Sequence, residues 1–431
     1  MNEYDSNRIY DLAKKIDYYK TENSKEADCY VLNTCHIREK ARDKVYHEIG
    51  RLKKEYKYKK KPIVIVTGCV AQAEGEILIK REKYIDAIIG PQSFHLFNQQ
   101  ILDLEKKSRK IQLTEFDVVD KFDTLNQIKN SCNKISSYLT IQEGCDKFCK
   151  FCVVPYTRGS EYSRSIDELL KESEDLIKNG SKEIILLGQN VNAYKFKGKK
   201  ISYLINEISK IDKLKRIRYT TSHPNDFSND LIEIHGTNKK LMPLIHLPVQ
   251  SGSNKILKSM NRKHSVEEYI HLVKKIKKIN PLIKFSSDFI IGYPGETNFD
   301  FEATLDLMKE IKYINSYSFI YSPRPGTPAA ELAQVRKSIS KERLTKFQKI
   351  SEKIKKNYKR SLLNKEVIVL FENRVGEDNN YFGRDEFSNS VVAKSHEDLR
   401  GQVKKVKIIS GNQTTLIGEI NQEISLKNHA A

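Results

Sequence analysis

GCDKFCKFC, residues 144–152, is the stretch on which the reading of this chain turns. It sets Cys145, Cys149 and Cys152 in one short run with C-x-x-x-C-x-x-C spacing. A cubane of four irons is held by thiolates, usually four of them. A loop that offers three leaves one iron to a small chelating ligand, so the spacing points to cluster chemistry rather than to a closed structural site. Zinc is the competing occupant of closely spaced cysteines. Zinc would need a fourth ligand, and no Cys or His follows until His223. The flanks suit a cluster loop as well. SYLTIQEG (137–144) alternates like a strand and ends on glycine, and VVPYTRG (153–159) reads as extended and non-helical.

Working outward, strand-like and helix-like segments alternate on both sides of the loop. Upstream, DSNRIYDLAKKIDYY (5–19) is amphipathic, with Asp5 or Ser6 as N-cap. ADCYVLNTC (27–35) and KPIVIVTGC (61–69) read as buried strands around the charged helix 36–56, and YIDAIIG (84–90) as a third strand. This rhythm implies a parallel sheet. Residues 101–135 are polar and weakly patterned, as a linker would be. From residue 136 come six strand-like pieces: SYLTIQ, EIILLGQNVN, RIRYTTS, LIHLPVQ, IKFSSDFIIGYPG and SYSFIYS. With helices between them, they predict an open or partial (β/α) barrel whose site lies at the strands' C-terminal ends. Residues 331–363 read as a charged helix. Beyond Asn364, EVIVLFEN, NSVVAKS, QVKKVKIIS and TTLIGEI predict a small β-barrel, either an RNA-contacting module or a folded tail with no ligand.

The 431 residues are 39% hydrophobic with no long apolar run, which gives core enough for several domains and no membrane span. MNEYDSNRIYDL lacks the basic start and apolar stretch of a signal peptide, so a cytoplasmic location is expected. Seven cysteines, three of them in one loop, do not read as a disulfide framework. A net charge of +20 favours a polyanionic partner, though a chain rich in Lys, Ile and Asn throughout carries such a charge by composition alone.

Polar and glycine residues gather where strands end. Cys35 and Cys69 each follow a strand and open a helix, and such positions converge at one edge of a parallel sheet. Either alone reads as a buried strand-end residue; the pair reads equally well as ligands. Cys29 and Cys132 read as bystanders. In DFIIGYPGET, Gly292, Gly295 and Glu296 follow an apolar strand, where glycine lets backbone approach a flat ligand such as an adenine. Gln189, Asn190, Gln250 and Ser251 sit at other strand ends and could hydrogen-bond a ribose or an amino-acid group. Each alone equally reads as a satisfied loop residue. Arg158 and Arg164, near the cysteine loop, suit either a carboxylate or phosphate ligand or a surface salt bridge.

Taken in order, NEYDS, LNTCHIREKA, GCVAQAEGE, GPQ, GCDKFCKFCVVPYTRG, LLGQNVNAY, TTSHP, LPVQSGS, SSDFIIGYPGET and SYSFIYSPRPGTPAA resemble the methylthiotransferase branch of the radical S-adenosylmethionine (SAM) enzymes, across essentially the whole chain. Within that branch, VVPYTRG, GQNVNAY and NTCHIREKA favour the members that act on isopentenylated adenosine in tRNA. Those that act on threonylcarbamoyl-adenosine or on a ribosomal protein are the alternatives, as is an RNA-binding relative with impaired catalysis. The resemblance implies a flavodoxin-like methylthiotransferase domain (1–105), a linker (106–130), a radical SAM partial barrel (131–361) and a C-terminal β-barrel of the TRAM type (364–427). It also implies that Cys145, Cys149 and Cys152 hold a 4Fe-4S cluster on which SAM is split, and that Cys35 and Cys69 are two of three ligands of an auxiliary 4Fe-4S cluster that presents sulfur. Gln189, Asn190, Gln250, Ser251, Gly292, Gly295 and Glu296 become candidate SAM contacts, and Lys404, Lys405 and Lys407 candidate phosphate contacts. A tRNA substrate, an electron-donor protein, a sulfur donor and a monomeric state complete the expectation.

The third auxiliary ligand has no match. In the resembling family a strand ending in Gly-Cys-Gln runs directly into MNEYDS, which here begins at Met1. The expectation is that Met1 is an internal methionine of a longer chain, and that a first sheet without its central strand has an opened core.

Overall fold

The computed structural model describes residues 1–34, 39–106, 111–115 and 117–420, with 39–42 described by backbone alone. Four parallel strands, β1 (Cys29–Thr34), β2 (Ile63–Gly68), β3 (Ala87–Ile89) and β4 (Ile111–Leu113), pair in chain order. Helices α1 (Asn2–Ala13), α2 (Glu39–Glu55), α3 (Cys69–Arg81), α4 (Phe97–Lys106) and α5 (Val118–Asn126) accompany them. Val64, Ile65 and Val66 are fully buried, because a parallel strand is covered on both faces.

Three expectations for this part of the chain are corrected. No gap opens between β1 and β2, which pair directly from Cys29↔Ile63 to Thr34↔Gly68. β1 is half-buried along its whole length rather than buried, because it forms the edge of the sheet. The stretch expected as a linker is structured: β4 extends the sheet beside β3, and α5 buries Phe122 and Leu125. A three-residue strand is too short to show alternation, and α5 carries its apolar face on few residues.

The second layer is a partial parallel barrel. One half is β5 (Ser136–Thr140), β6 (Glu183–Leu187) and β7 (Arg216–Tyr219); the other is β8 (Leu244–His246), β9 (Lys284–Ile291) and β10 (Asn315–Ile320). A parallel bridge between Ile217 and Leu241 joins the halves. Between these strands lie α6 (Val154–Arg158), α7 (Ile166–Lys178), α8 (Ile201–Ser209), α9 (Asn229–Thr237), α10 (Asn254–Ser259), α11 (Val266–Ile279) and α12 (Asn298–Ile311), and α13 (Lys337–Arg360) closes the far side. The apolar residues of the strands pack outward on these helices in one large core. VVPYTRG, expected to be extended, is helical from Val154: its proline falls in the first turn, where a missing N–H costs nothing, and Gly159 ends it at positive φ.

The C-terminal part is a closed barrel of five strands, β11 (Glu366–Val375), β12 (Asn380–Asp385), β13 (Ser390–Lys394), β14 (Val403–Gly411) and β15 (Thr415–Ile420). Four of these were legible. β12, NYFGRD, was not, because its inward positions are Tyr381, Gly383 and Asp385 rather than aliphatic residues. Gly383 is required there: a Cβ would run into the Leu370 carbonyl on the paired strand. The barrel docks beneath the parallel sheet. Arg216 donates to the carbonyls of Arg384 (2.8 Å) and Ile368 (2.7 Å), and Arg218 to those of Glu386 (2.8 Å) and Asp385 (2.7 Å). Among the described residues no helix is long and apolar enough to cross a membrane.

Four buried charges bind the first layer to the second. Asp5 of α1 pairs with Arg158 of α6 at 2.7 Å and lies 3.9 Å from Lys121 of α5; Glu143 takes Lys121 at 2.6 Å and Arg158 at 3.3 Å. Burial alone would raise the Asp5 carboxyl, yet Arg158 and Lys121 hold it below its ordinary value. Burial alone would lower the Arg158 guanidinium, and Asp5, Cys69 and Glu143 keep it well above. The contribution of a carboxylate with a depressed pKa is complete above its unfolded value near 4 and is lost as pH falls through the lower folded value. Asp5→Ala leaves Glu143 alone to balance two buried cations and is expected to cost about 3–5 kcal/mol of stability. Urea unfolding at pH 7 and at pH 3 checks this: the gap between variant and parent is expected to shrink at the lower pH.

Candidate iron–sulfur and cofactor site

The cysteine loop begins at Gly144, at the upper end of the first barrel strand. Gly144 has φ of +76°, and a Cβ there would collide with the Ser160 carbonyl, so only glycine fits the corner. Its amide donates to Gln189 Oε1 (2.7 Å) and its carbonyl accepts from Gln142 Nε2 (2.7 Å). Beyond it, Cys145 N donates to Gly159 O, Cys152 N to Cys149 O, and Lys150 N to Met260 O. Phe148 adopts a left-handed conformation at the loop tip.

A segment that sequence reasoning passed over clamps the loop. Asn261 donates to the carbonyls of Phe148 (2.9 Å) and Lys147 (3.3 Å). Arg262, buried, lies with Nη1 3.8 Å from Cys149 Sγ while Nη2 donates to Pro248 O at 2.6 Å. Lys147 pairs with Asp226 at 2.7 Å, which also accepts from Asn190 (2.7 Å). The imidazoles of His223 and His264 meet edge to face beside this cluster. Burial first, then the nearby Arg262 charge, lowers His223 to about 2 and His264 to about 3, so both stay neutral. The signal available in the sequence was a basic residue in a polar turn after α10, one of many in so basic a chain.

Burial pushes the Cys145 thiol up to about 11 and the Cys152 thiol to about 12. Such thiols are protonated at neutral pH without a metal, and loading must expel those protons. The backbone N–H of Val154 points at the sulfur of Cys152 at 3.5 Å, and Arg262 supplies positive charge. That is the environment a thiolate-held cluster needs. The sulfurs are not gathered as a single zinc ion would gather them, about 3.8 Å apart on bonds of about 2.3 Å. Among the described residues the one set of three ligating atoms within 4.8 Å of one another is His95, Asp117 and Asp120, elsewhere in the fold.

The remaining candidates divide. Gln189 and Asn190 stand at the loop, Gln189 on Gly144 and Asn190 on Asp226 and Glu161, with Asn190 Oδ1 buried and unpartnered. Gln250, at φ of +77°, bridges to Phe289 on the facing strand. Ser251 is buried and braces its own turn, accepting from Ser253 N. Gly292 packs against Ser340 of α13, and Glu296 closes its own turn by accepting from Gly292 N (3.0 Å) and from Arg343 at 2.8 Å. Gly295 faces open space. Arg158 and Arg164 are neither ligand-facing nor on the surface: Arg158 joins the four-charge junction, and Arg164 is buried on Glu172 (2.8 Å) and Thr140 O (2.9 Å). Cys69 opens α3 with Arg158 close enough to feel its charge. Cys35 lies outside the described residues. Cys29 lies within β1, and Cys132 contacts Ser137 at 3.4 Å.

A partial parallel barrel carrying a three-thiol loop at its strand ends defines the class, and comparison with known proteins agrees. The Radical SAM superfamily profile matches residues 139–308, and that of "Uncharacterized protein family UPF0004" matches residues 1–90. A solved structure of the radical SAM methyltransferase TsrM from Kitasatospora setae shares the fold, with a TM-score of 0.56 over 76% of this chain and 72% of that one at 13% identity. This chain is therefore a radical SAM protein. It is 56% identical, over 99% of its length and 97% of the relative's, to the tRNA-2-methylthio-N(6)-dimethylallyladenosine synthase of Pelagibacter ubique (strain HTCC1062), and 46% identical, over 97% and 96%, to that of Ruegeria sp. (strain TM1040). It belongs to that family, the MiaB methylthiotransferases.

Gly144→Ala is expected to retain the parent's far-UV circular dichroism yet to bind well under half the parent's iron on anaerobic reconstitution. Iron assay per chain checks this.

Proposed function

We infer that this protein is a radical SAM methylthiotransferase that converts isopentenylated adenosine in tRNA to its 2-methylthio derivative. The observation that carries the inference is the clamped loop that presents three thiols at the barrel's strand ends, in a chain 56% identical to a named synthase. The same relatives disfavour the readings as a threonylcarbamoyl-adenosine or ribosomal-protein methylthiotransferase.

Cys145, Cys149 and Cys152 would hold the 4Fe-4S cluster and leave one iron for SAM. When bound, that group supplies hydrogen abstraction from an aromatic carbon whose proton no side-chain base can reach. The chain's own part is placement. Gln189 fixes the loop's entry, and Met260, Asn261 and Arg262 fix its tip. Phe151, Ile256, Met260, Tyr293 and Tyr321 form an apolar cluster at the loop's side. Gln189, Asn190 and Gln250 remain at the strand ends as cofactor contacts. Ser251, Gly292 and Glu296 would shape that pocket from behind, given their partners.

Cys35 and Cys69 are proposed as two ligands of a second 4Fe-4S cluster. The place of Cys69 at the start of α3, against the helix that follows the cysteine loop, supports this. An electron-donor protein and a sulfur donor belong to the same reading, as do a monomeric state and a cytoplasmic location. An adenosine in an anticodon loop is already unpaired, so presenting its base costs little.

Nucleoside analysis of tRNA from a strain lacking this gene tests the activity: 2-methylthio-isopentenyladenosine should vanish and its unthiolated precursor accumulate, and an unchanged level rejects it. Iron content tests the cluster assignment. The barrel loop accounts for about four irons per chain; iron beyond that belongs to Cys35 and Cys69 and should be lost in Cys69→Ala.

A further inference from the structure

The far end of α13 forms a cleft of about 850 Å³ with the turn between β14 and β15. Lys349, Lys353, Lys356 and Arg360 line it and are exposed. Their spacing puts them on one helix face, a turn apart. Glu352 is the acid in the lining, and among the described residues none of the four cations forms an ion pair. Lys349/Lys353 and Lys356/Arg360 repeat one sign at i, i+4, which costs an isolated helix a few tenths of a kcal/mol per pair, and Glu352, four residues before Lys356, offsets one of these charges. Lys359, buried, donates to Gln413 O at 2.8 Å and ties the helix to the turn, so the ridge and the opposite wall are fixed in place. A concave surface in which cations outnumber the one acid focuses its field on an anion.

The cleft is remote from the chemistry. α13 starts at the mouth of the barrel, where Ser340 packs against Gly292 and Arg343 holds Glu296 at 2.8 Å. From Ser340 to Lys356 the helix rise of about 1.5 Å per residue gives a separation of about 24 Å. A loop nucleotide at the strand ends cannot also reach the cleft.

We propose that this cleft is a second RNA site, which grips the phosphate backbone of the tRNA body outside the anticodon loop. The proposal rests on the tRNA reading above and extends it to a part of the substrate that takes no part in the chemistry. Phosphates are the fitting partner because the ridge is a row of point charges with no aromatic platform for bases. Phosphate contacts position a nucleic acid and make binding salt-dependent without reading sequence.

The test is the salt dependence of binding, by fluorescence anisotropy, for the whole isopentenylated tRNA and for its isolated anticodon stem–loop. The full-length protein is compared with the triple variant K349Q/K353Q/K356Q, whose fold is checked by its thermal melt. Each lost phosphate contact lowers the log–log slope by about 0.7–0.9. The variant is expected to lose about 2–3 from its slope on whole tRNA and to bind it roughly tenfold or more weakly at physiological salt. Its slope on the stem–loop and its turnover at saturating tRNA are expected to match the parent. An unchanged slope on whole tRNA overturns the proposal, as does an equal loss on the stem–loop. A parent protein that thiolates tRNA in cells while the variant's slope is unchanged leaves the function intact and refutes the cleft alone.

Discussion

A nine-residue loop can present three thiols to one ligand only if its backbone is denied other conformations, since each free residue would cost about 1–2 kcal/mol to order on binding. The structure meets that constraint before any cofactor arrives. Gly144 turns the corner in a conformation no other residue fits, with its amide and carbonyl held by Gln189 and Gln142. Met260, Asn261 and Arg262 then hold the far side through main-chain contacts and one guanidinium near a sulfur. Ligand binding therefore spends little on ordering the loop, which leaves its free energy for displacing protons from buried thiols.

The same loop is anchored from outside the barrel. Arg158, six residues past Cys152, reaches back to Asp5 in the first helix, and Lys121 and Glu143 complete the charge set. A pair buried this deeply is weak evidence of net stability, but any relative movement of the layers leaves a charge uncompensated. Cys69 sits on the same junction, so the first layer and the cysteine loop share one mechanical frame. On the opposite end, Arg216 and Arg218 hold main-chain carbonyls of the C-terminal barrel, which fixes a basic module relative to the site.

Much of this was legible in the sequence where chemistry depends on spacing. The three cysteines, the strand-helix rhythm and the apolar strands of the barrel all appear as local patterns. What escaped depends on pairs far apart in the chain. Arg262 approaches Cys149 across 113 positions, and Arg158 meets Asp5 across 153, so neither role has a local signature. In sequence Arg158 and Arg164 suit ligand or surface groups because arginine is rarely buried, and only a partner shown in three dimensions overrides that expectation. Glu296 shows the reverse: a carboxylate in a glycine turn suggests a ligand contact, while the structure gives it to Arg343. Short elements failed for a different reason. β4 and β12 carry too few aliphatic residues to show a period, and α6 begins on a proline that reads as a break.

Held by three thiolates of the barrel loop, a cubane would keep one iron without a protein sulfur, and SAM would take that place. Electron paramagnetic resonance of anaerobically reconstituted, dithionite-reduced protein measures this most directly. The expected result is a reduced cubane signal that depends on Cys145, Cys149 and Cys152 and changes shape when SAM is added. A protein with no such signal, or with one indifferent to SAM, would contradict it.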